Sequence, residues 1–246
     1  MEGRNIKLVL SYDGTDFCGW QAQDNGRTVQ GTVEQALEKM HGRHVSVTGA
    51  GRTDSGVHAK GQAANFYTTI DSIAARSFVP ALNALLPKDV RVLEAQEAES
   101  GFHARFSAAA RTYRYHFLCR PALPCESRCN LQLNRFPRLD ALNAYGRLIL
   151  GETDCSIFAG AGDTSRSKRR FIYGCRFYIE ADRLIFEIRA NAFLRRMVRS
   201  IAGTFLHYEE KETPEKKLAQ IIASGERSLA GPTLPPQGLF LWRVDY

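Results

Sequence analysis

The chain has 246 residues, 44% of them hydrophobic, enough to bury one large core or two of ordinary size, and it is expected to be globular and soluble. No run of about eighteen apolar residues occurs, and the opening MEGRNIKLVLSYDGTD has only a short apolar stretch, which argues against a membrane span or secretory signal and for a cytoplasmic location. Lys+Arg 33 against Asp+Glu 26 gives +7, a balance that suits a polyanionic partner and also simple solubility.

The first predicted element is the strand IKLVLSYDG, ending at Asp13-Gly14. In TVQGTVEQALEKMHG, Val29, Val33, Ala36, Leu37 and Met40 repeat at helical spacing, with Thr28 as the start and Gly42 as the stop. Strand-like HVSVTGAG and GQAANFYT follow, then a helix around Ala74 to Leu86 and the strand VRVLEAQEA. The first half therefore reads β-α-β-β-α-β.

RTYRYHFL alternates strictly, with Tyr113, Tyr115 and Phe117 on one face and Thr112, Arg114 and His116 on the other. A helix is expected around Leu139 to Leu150, and CRFYIEADRLIFEIRA reads as a hairpin turning near Ala181-Asp182 without the usual Asp-Gly. From Asn191 to Tyr208 a helical pattern gathers Phe193, Leu194, Met197, Val198, Ile201 and Phe205 on one face. Arg195, Arg196 and Arg199 fall opposite, as a solvated polar face would, but Ala202 and Gly203 share that side, and small residues in a helix often mark close approach by another backbone. A short helix from Pro214 to Ala223 and the strand GLFLWRVDY close the chain. The economical fold is α+β: two split β-α-β (ferredoxin-like) halves, 1–103 and 104–246, with sheets joined side by side around a central cleft. Clefts between halves attract ligands, and a sheet face free of helices is a common RNA platform.

Six cysteines stand at irregular spacing and do not form the framework of a secreted disulfide scaffold. Cys119, Cys125 and Cys129 near His116 lack the paired spacing of a zinc site, so no metal is expected. GAGRTDSGVHAKGQAANF, residues 49 to 66, is the most unusual stretch. Arg52, Asp54, His58 and Lys60 stand close together among glycines at 49, 51, 56 and 61. T-D-S-G is good turn chemistry, and Asp54 serves a turn as well as it serves a reaction. The surrounding glycines suit backbone that passes close to something bulky.

YDGTDFCGWQAQ, TVQGTVEQAL, GAGRTDSGVHAKGQAANF, FHARFSA, RTYRY, NAFLRRMVRSIAGTF and PPQGLFLWRVDY resemble, in order and across essentially the whole chain, the motifs of the tRNA pseudouridine synthase A family. The resemblance implies an enzyme that isomerises uridine to pseudouridine in the anticodon stem-loop of tRNA, with no cofactor and no metal, as a homodimer. It makes Asp54 the catalytic acid and Arg199 its partner. Tyr113 then packs against the target base, and Arg52 fills the stack that the base vacates. The glycines would let bulky RNA reach the loop, since a base must leave its stack before an enzyme reaches its glycosidic bond. The absence of a P-loop and of a dinucleotide fingerprint agrees with a reaction contained in one nucleotide. Asp154-Cys155-Ser156-Ile157-Phe158 departs from the family pattern, with a cysteine where an aromatic is usual. The competing function is a catalytically inactive RNA-binding protein of the same fold.

Overall fold

The computed structural model describes residues 3–246. Two compact units divide the chain: residues up to Ala109 together with Phe240–Tyr246, and Ala110–Leu239.

In the first unit, β1 (Arg4–Tyr12) pairs antiparallel with β3 (His58–Thr68) on one side and β4 (Val90–Ala98) on the other. Two elements share the far edge of β3. The short β2 (Thr48–Gly49) runs antiparallel to its later residues, and β10 (Leu239–Asp245) runs parallel to its first, Phe240 opposite His58. β1 turns Ile6, Leu8, Leu10 and Tyr12 into the core and Lys7 and Val9 the other way, as a period of two requires.

Helix α1 (Val29–His41) buries Val29, Val33, Ala36 and Leu37. Thr28 Oγ1 accepts from the Gly31 N–H at 3.3 Å, and Gly42 ends the helix at φ +66°, where a side chain would be strained, so both expected boundaries hold. Burying each Val or Leu of such a stripe is worth about 1.5–3 kcal/mol, far more than the cap. Helix α2 is Phe78–Leu85, shorter than its apolar pattern because a 3₁₀ turn, Ala75–Ser77, precedes it. On the opposite face of the sheet, Ala50, Ala63 and Ala104 form a small second cluster with Phe102 and Val244.

In the second unit the antiparallel strands run in the order β5 (Ala110–Leu118), β9 (Arg183–Ala190), β8 (Arg169–Glu180) and β7 (Gly151–Asp154), and a two-residue β6 (Leu131–Gln132) pairs with β5. Helix α3 (Leu139–Arg147) lies on β8, where Asn143 brackets the Phe177 backbone, donating to its carbonyl at 2.9 Å and accepting from its N–H at 2.8 Å. Helices α4 (Met197–Glu210) and α5 (Glu215–Ser224) follow. The β8–β9 turn falls at Ala181-Asp182, and Ala181 takes φ +55° in place of a glycine or asparagine. Both faces of β5 are buried, Thr112 and His116 as well as Tyr113, Tyr115 and Phe117. The α+β class read from the sequence is the class observed. No helix among the described residues is long and apolar enough to cross a membrane.

Besides the shortened α2, two segments differ from the sequence reading. HVSVTGAG yields only the two-residue β2. The helix expected from Asn191 begins at Met197, because Arg196 takes a left-handed φ of +58° that no helix interior tolerates. Phe193, Leu194, Arg195 and Arg196 therefore precede the helix, and only Arg199 of the three arginines projects from it.

Candidate functional site: a pinned acidic loop and a half-buried arginine

The Asp54 loop connects β2 to β3 and is held at nearly every residue. The Ala50 N–H donates to Ala63 O at 2.8 Å, and Gln62 Nε2 donates to Gly51 O at 2.7 Å. Thr53 O accepts from the Trp20 N–H at 3.1 Å, and Thr53 Oγ1 shares a buried hydrogen bond with the Tyr12 hydroxyl at 2.9 Å. Ser55 Oγ and the Gly56 N–H both donate to Phe17 O, at 3.1 and 3.3 Å. Val57 N–H donates to Asp54 O at 3.1 Å and closes a four-residue turn, with Gly56 at φ +77° in the position that demands positive φ. Asp54 is thus the first residue of a turn, half-buried, with its neighbours on both sides fixed.

The glycines turn out to serve the protein's own packing. A β-carbon at Gly49 would lie 2.4 Å from the Trp20 indole, and one at Gly61 would lie 2.6 Å from the Trp242 carbonyl oxygen. The expectation that these two open the loop to RNA is therefore corrected: what passes close to them is a tryptophan ring and a neighbouring strand. Two further glycines, in YDGTDFCGW, bracket the acid from outside the loop. A β-carbon at Gly14 would stand 2.0 Å from Val57 O, and one at Gly19, whose φ is +96°, 2.5 Å from Thr53 O. Sequence reading missed their role, although both stand inside a motif it had quoted.

His58 is fully buried, stacked on Phe240 at 4.7 Å. Its Nδ1 accepts from the Gly14 N–H at 3.1 Å and stands 3.2 Å from Asp13 Oδ1, so it ties the Asp-Gly turn to the end of the loop. Arg52 is exposed and donates from Nε to Gln21 Oε1 at 3.1 Å. Lys60 places its ammonium 4.0 Å from the Trp242 ring centroid.

The other two expected residues belong to the second unit. Tyr113, on β5, is 8% exposed and meets Phe193 edge-on at 5.0 Å. Arg199 is half-buried on α4 and donates from Nε to Leu234 O at 2.7 Å. The segment carrying Leu234 packs tightly on the helix. A β-carbon at Gly203 would sit 1.8 Å from Pro232 O, and Thr204 Oγ1 accepts from the Gly231 N–H at 3.1 Å. The inference that small residues beside Arg199 mark an approaching backbone is therefore borne out. Burial pushes the Tyr115 phenol well above its ordinary pKa, against the opposing pull of the Arg199 charge. The structure thus places Arg52 and Asp54 on one loop of the first unit and Tyr113 and Arg199 among the packed elements of the second.

The basic segment of the second unit is partly neutralised. Lys168 binds the buried Asp163 carboxylate, and Arg169 donates to Glu152 at 2.8 Å. Burial alone would raise the Asp163 pKa, but Lys168 and the backbone N–H groups of Arg195 and Ser165 hold it well below the usual carboxylate range. Cys155 is fully buried, its thiol pushed up to about 12 by desolvation, so the residue at this unusual position packs in the interior and does not face a ligand. Among the described residues no group of three or more His, Cys, Asp or Glu side chains is placed to hold a metal ion.

A family model described as tRNA pseudouridine synthase matches residues 8–107 and 147–246, segments that carry the Asp54 loop and Arg199 but not Tyr113. The chain is 50% identical over 249 residues to the tRNA pseudouridine synthase A of Treponema denticola, covering 99% of this chain and 93% of that one. It is 48% identical to the Treponema pallidum (strain Nichols) protein of the same name over 93% of this chain and 84% of that one. The Caldicellulosiruptor saccharolyticus protein, also so named, is 41% identical over 99% of this chain and all of its own length, 100%. A chain of the solved Cbf5-Nop10-Gar1 complex aligns at a TM-score of 0.36 and 12% identity over 80% of this chain and 43% of that one, too weak a likeness to bear on the fold. Full-length relatives at such identity, together with a family model that spans both units, place the chain in the tRNA pseudouridine synthase family.

Proposed function

We propose that this chain isomerises uridine to pseudouridine in tRNA, with Asp54 as the group that acts on the target nucleotide. The observation that carries this reading is the loop itself: a half-buried carboxylate on a turn whose neighbours are fixed by six hydrogen bonds, in a chain of this family. Such fixing is what a catalytic acid needs, because its position relative to the reacting atoms sets the rate.

The reaction breaks the C1′–N1 bond, forms C1′–C5, expels the C5 hydrogen as a proton and returns a proton to N1. No electrons are gained or lost. Attack at C1′, attack at C6 and proton removal all require an ionised carboxylate. Arg199 acts as the positive partner that family resemblance assigns to that acid, offsetting the cost of desolvating it. Tyr113, already fixed edge-on by Phe193, supplies a ring against the extruded base. Arg52, outward and steadied by Gln21, takes the space that the base leaves. The finer expectations are the anticodon arm as target, a homodimer as the working form and the cytoplasm as its location; the family resemblance supports them.

The test is tritium release from tRNA carrying [5-³H]uridine. The unmodified protein should release tritium, and Asp54→Asn should release none while binding tRNA within about tenfold of it. Release by Asp54→Asn at the parental rate defeats the assignment. Binding without release by the parent shows an RNA-binding protein that has lost the chemistry.

A further inference from the structure

Among the exposed aromatic side chains of the second unit are two neighbours on β8 that its core does not use. Strand β8 sends Ile172, Cys175 and Phe177 inward, and α3 packs over Cys175 and Phe177. A bulge between Ile172 and Gly174 adds one residue to the strand. Phe171 and Tyr173 thus both turn outward, and Cys175 and Phe177 still reach the core. The two exposed rings, 44% and 48% accessible, sit 5.0 Å apart. Arg189, on the neighbouring β9, lays its guanidinium 4.9 Å from the Tyr173 ring centroid. The strand end is fixed in both directions, with the Phe171 N–H donating to Asn191 Oδ1 and the Asn191 N–H donating to Phe171 O, each at 3.1 Å.

The surroundings are basic. The strand is entered through SRSKRR, residues 165 to 170, and Asp163 ties this segment to the backbone of Arg195. With Arg189, Arg195 and Arg196, these cations outnumber the carboxylates Glu152, Asp154 and Asp163, and Glu187, on β9 beside Arg189, is already paired with Arg114 and Arg176. A twofold contact between copies would set this positive patch against itself, which costs energy. A polyanion with flat, unpaired bases meets it with opposite charge and matching π-faces.

We propose that Phe171 and Tyr173 form a stacking platform for an unpaired base of the RNA substrate, with the adjoining arginines on its phosphates; this rests on the reading of the chain as a tRNA-modifying enzyme. Nothing in the pairing of the strand requires these rings, so their removal should spare the fold.

The experiment measures binding of an unmodified tRNA transcript, and of a blunt RNA duplex without unpaired nucleotides, at several salt concentrations. Phe171→Ala and Tyr173→Ala should each weaken tRNA binding roughly tenfold and leave the salt slope unchanged, because stacking releases no counterions. Duplex binding should not change. Phe171→Tyr and Tyr173→Phe, which keep a ring, should restore tRNA affinity. Melting followed by circular dichroism identifies any variant that has lost its fold, and the ring-keeping pair then carries the test. Parental tRNA affinity in both alanine variants overturns the platform, as does equal loss on tRNA and duplex. A change in sedimentation with unchanged tRNA affinity also overturns it and makes the patch a contact between copies. Tritium release by the parent alongside parental binding by the alanine variants defeats the platform alone. No release by the parent, with RNA affinity still lost in the alanine variants, defeats the enzymatic reading and keeps the platform.

Discussion

Gly19→Ala perturbs the Asp54 loop without substituting a residue of the loop. The new β-carbon would stand 2.5 Å from Thr53 O and 3.2 Å from the Asp54 carbonyl carbon, on a backbone at φ +96°. Holding a non-glycine residue at such a φ costs about 1–3 kcal/mol. Backbone has no rotamer with which to yield, and overpacking of this kind adds about 1–3 kcal/mol. The combined loss, roughly 2–6 kcal/mol, corresponds to a fall in melting temperature of about 5–20 °C for a chain of this size. Relief of the contact pushes Thr53 away from Trp20 and carries Asp54 with it, and a displacement approaching 1 Å costs about 10²-fold in turnover. Gly42→Ala is the control. Its φ is +66°, but no atom lies within 4 Å of the added carbon, so it should lose only about 1–2 kcal/mol and keep full activity. Thermal melts and tritium release would be measured on both variants. Unchanged melting and turnover in Gly19→Ala, or equal losses in the two variants, would refute the claim that this glycine sets the position of the acid.

Arg199→Ala should abolish tritium release, and an Asp54→Asn, Arg199→Ala double variant should lose no more than Asp54→Asn alone; independent, additive losses would separate the two residues. For tRNA binding, Arg195→Gln and Arg196→Gln should each flatten the dependence of log K on log salt by somewhat under one unit, and Arg169→Gln by less, because Arg169 already pairs with Glu152. Acid should destabilise the second unit through Asp163 and Glu209. Burial opposes ionisation of both, yet Lys168 and Arg135 hold their pKa values below the ordinary carboxylate range. Their stabilisation is complete above an unfolded pKa of about 4 and is lost as pH falls below it, so Asp163→Asn should flatten the melting-temperature profile there. Activity should survive exhaustive chelation, and turnover lost in EDTA and restored by one divalent ion would count against the chemistry proposed for Asp54.

Regular elements were legible where a single periodicity governed them. Helix α1 announced its cap, stripe and stop, and the strict alternation of RTYRYHFL marked β5. The stretch before α4 misled for a physical reason. Phe193 and Leu194 fit a helical stripe, but Leu194 is buried and Phe193 half-buried by tertiary packing of an irregular segment, Phe193 against Tyr113, and no Ser, Thr or Asp stood at the true boundary to mark it. Nothing local to the sequence says that Arg196 adopts a left-handed conformation. Asp54 and Arg199 were found through motifs, and the glycines around the acid were noticed for their number. What those glycines face could not be read, because Trp20, Trp242, Thr53 and Val57 reach them only through the fold.

The first unit is discontinuous: its sheet takes its final strand, β10, from the far end of the sequence, after the whole of the second unit. During synthesis, the early part of β3 emerges with its edge open and stays so while the second unit is made. Phe240 is not yet available to stack on His58, and Tyr246 cannot yet donate to Ala104 O. An unpaired edge of this kind is a template for mispairing with other chains. The residues immediately before that edge include Arg52 and Asp54, so the acidic loop reaches its final setting only when β10 arrives. Folding of the acidic loop is thereby coupled to synthesis of β10, and a chain interrupted before Phe240 has every residue of the second unit but a first unit lacking one strand.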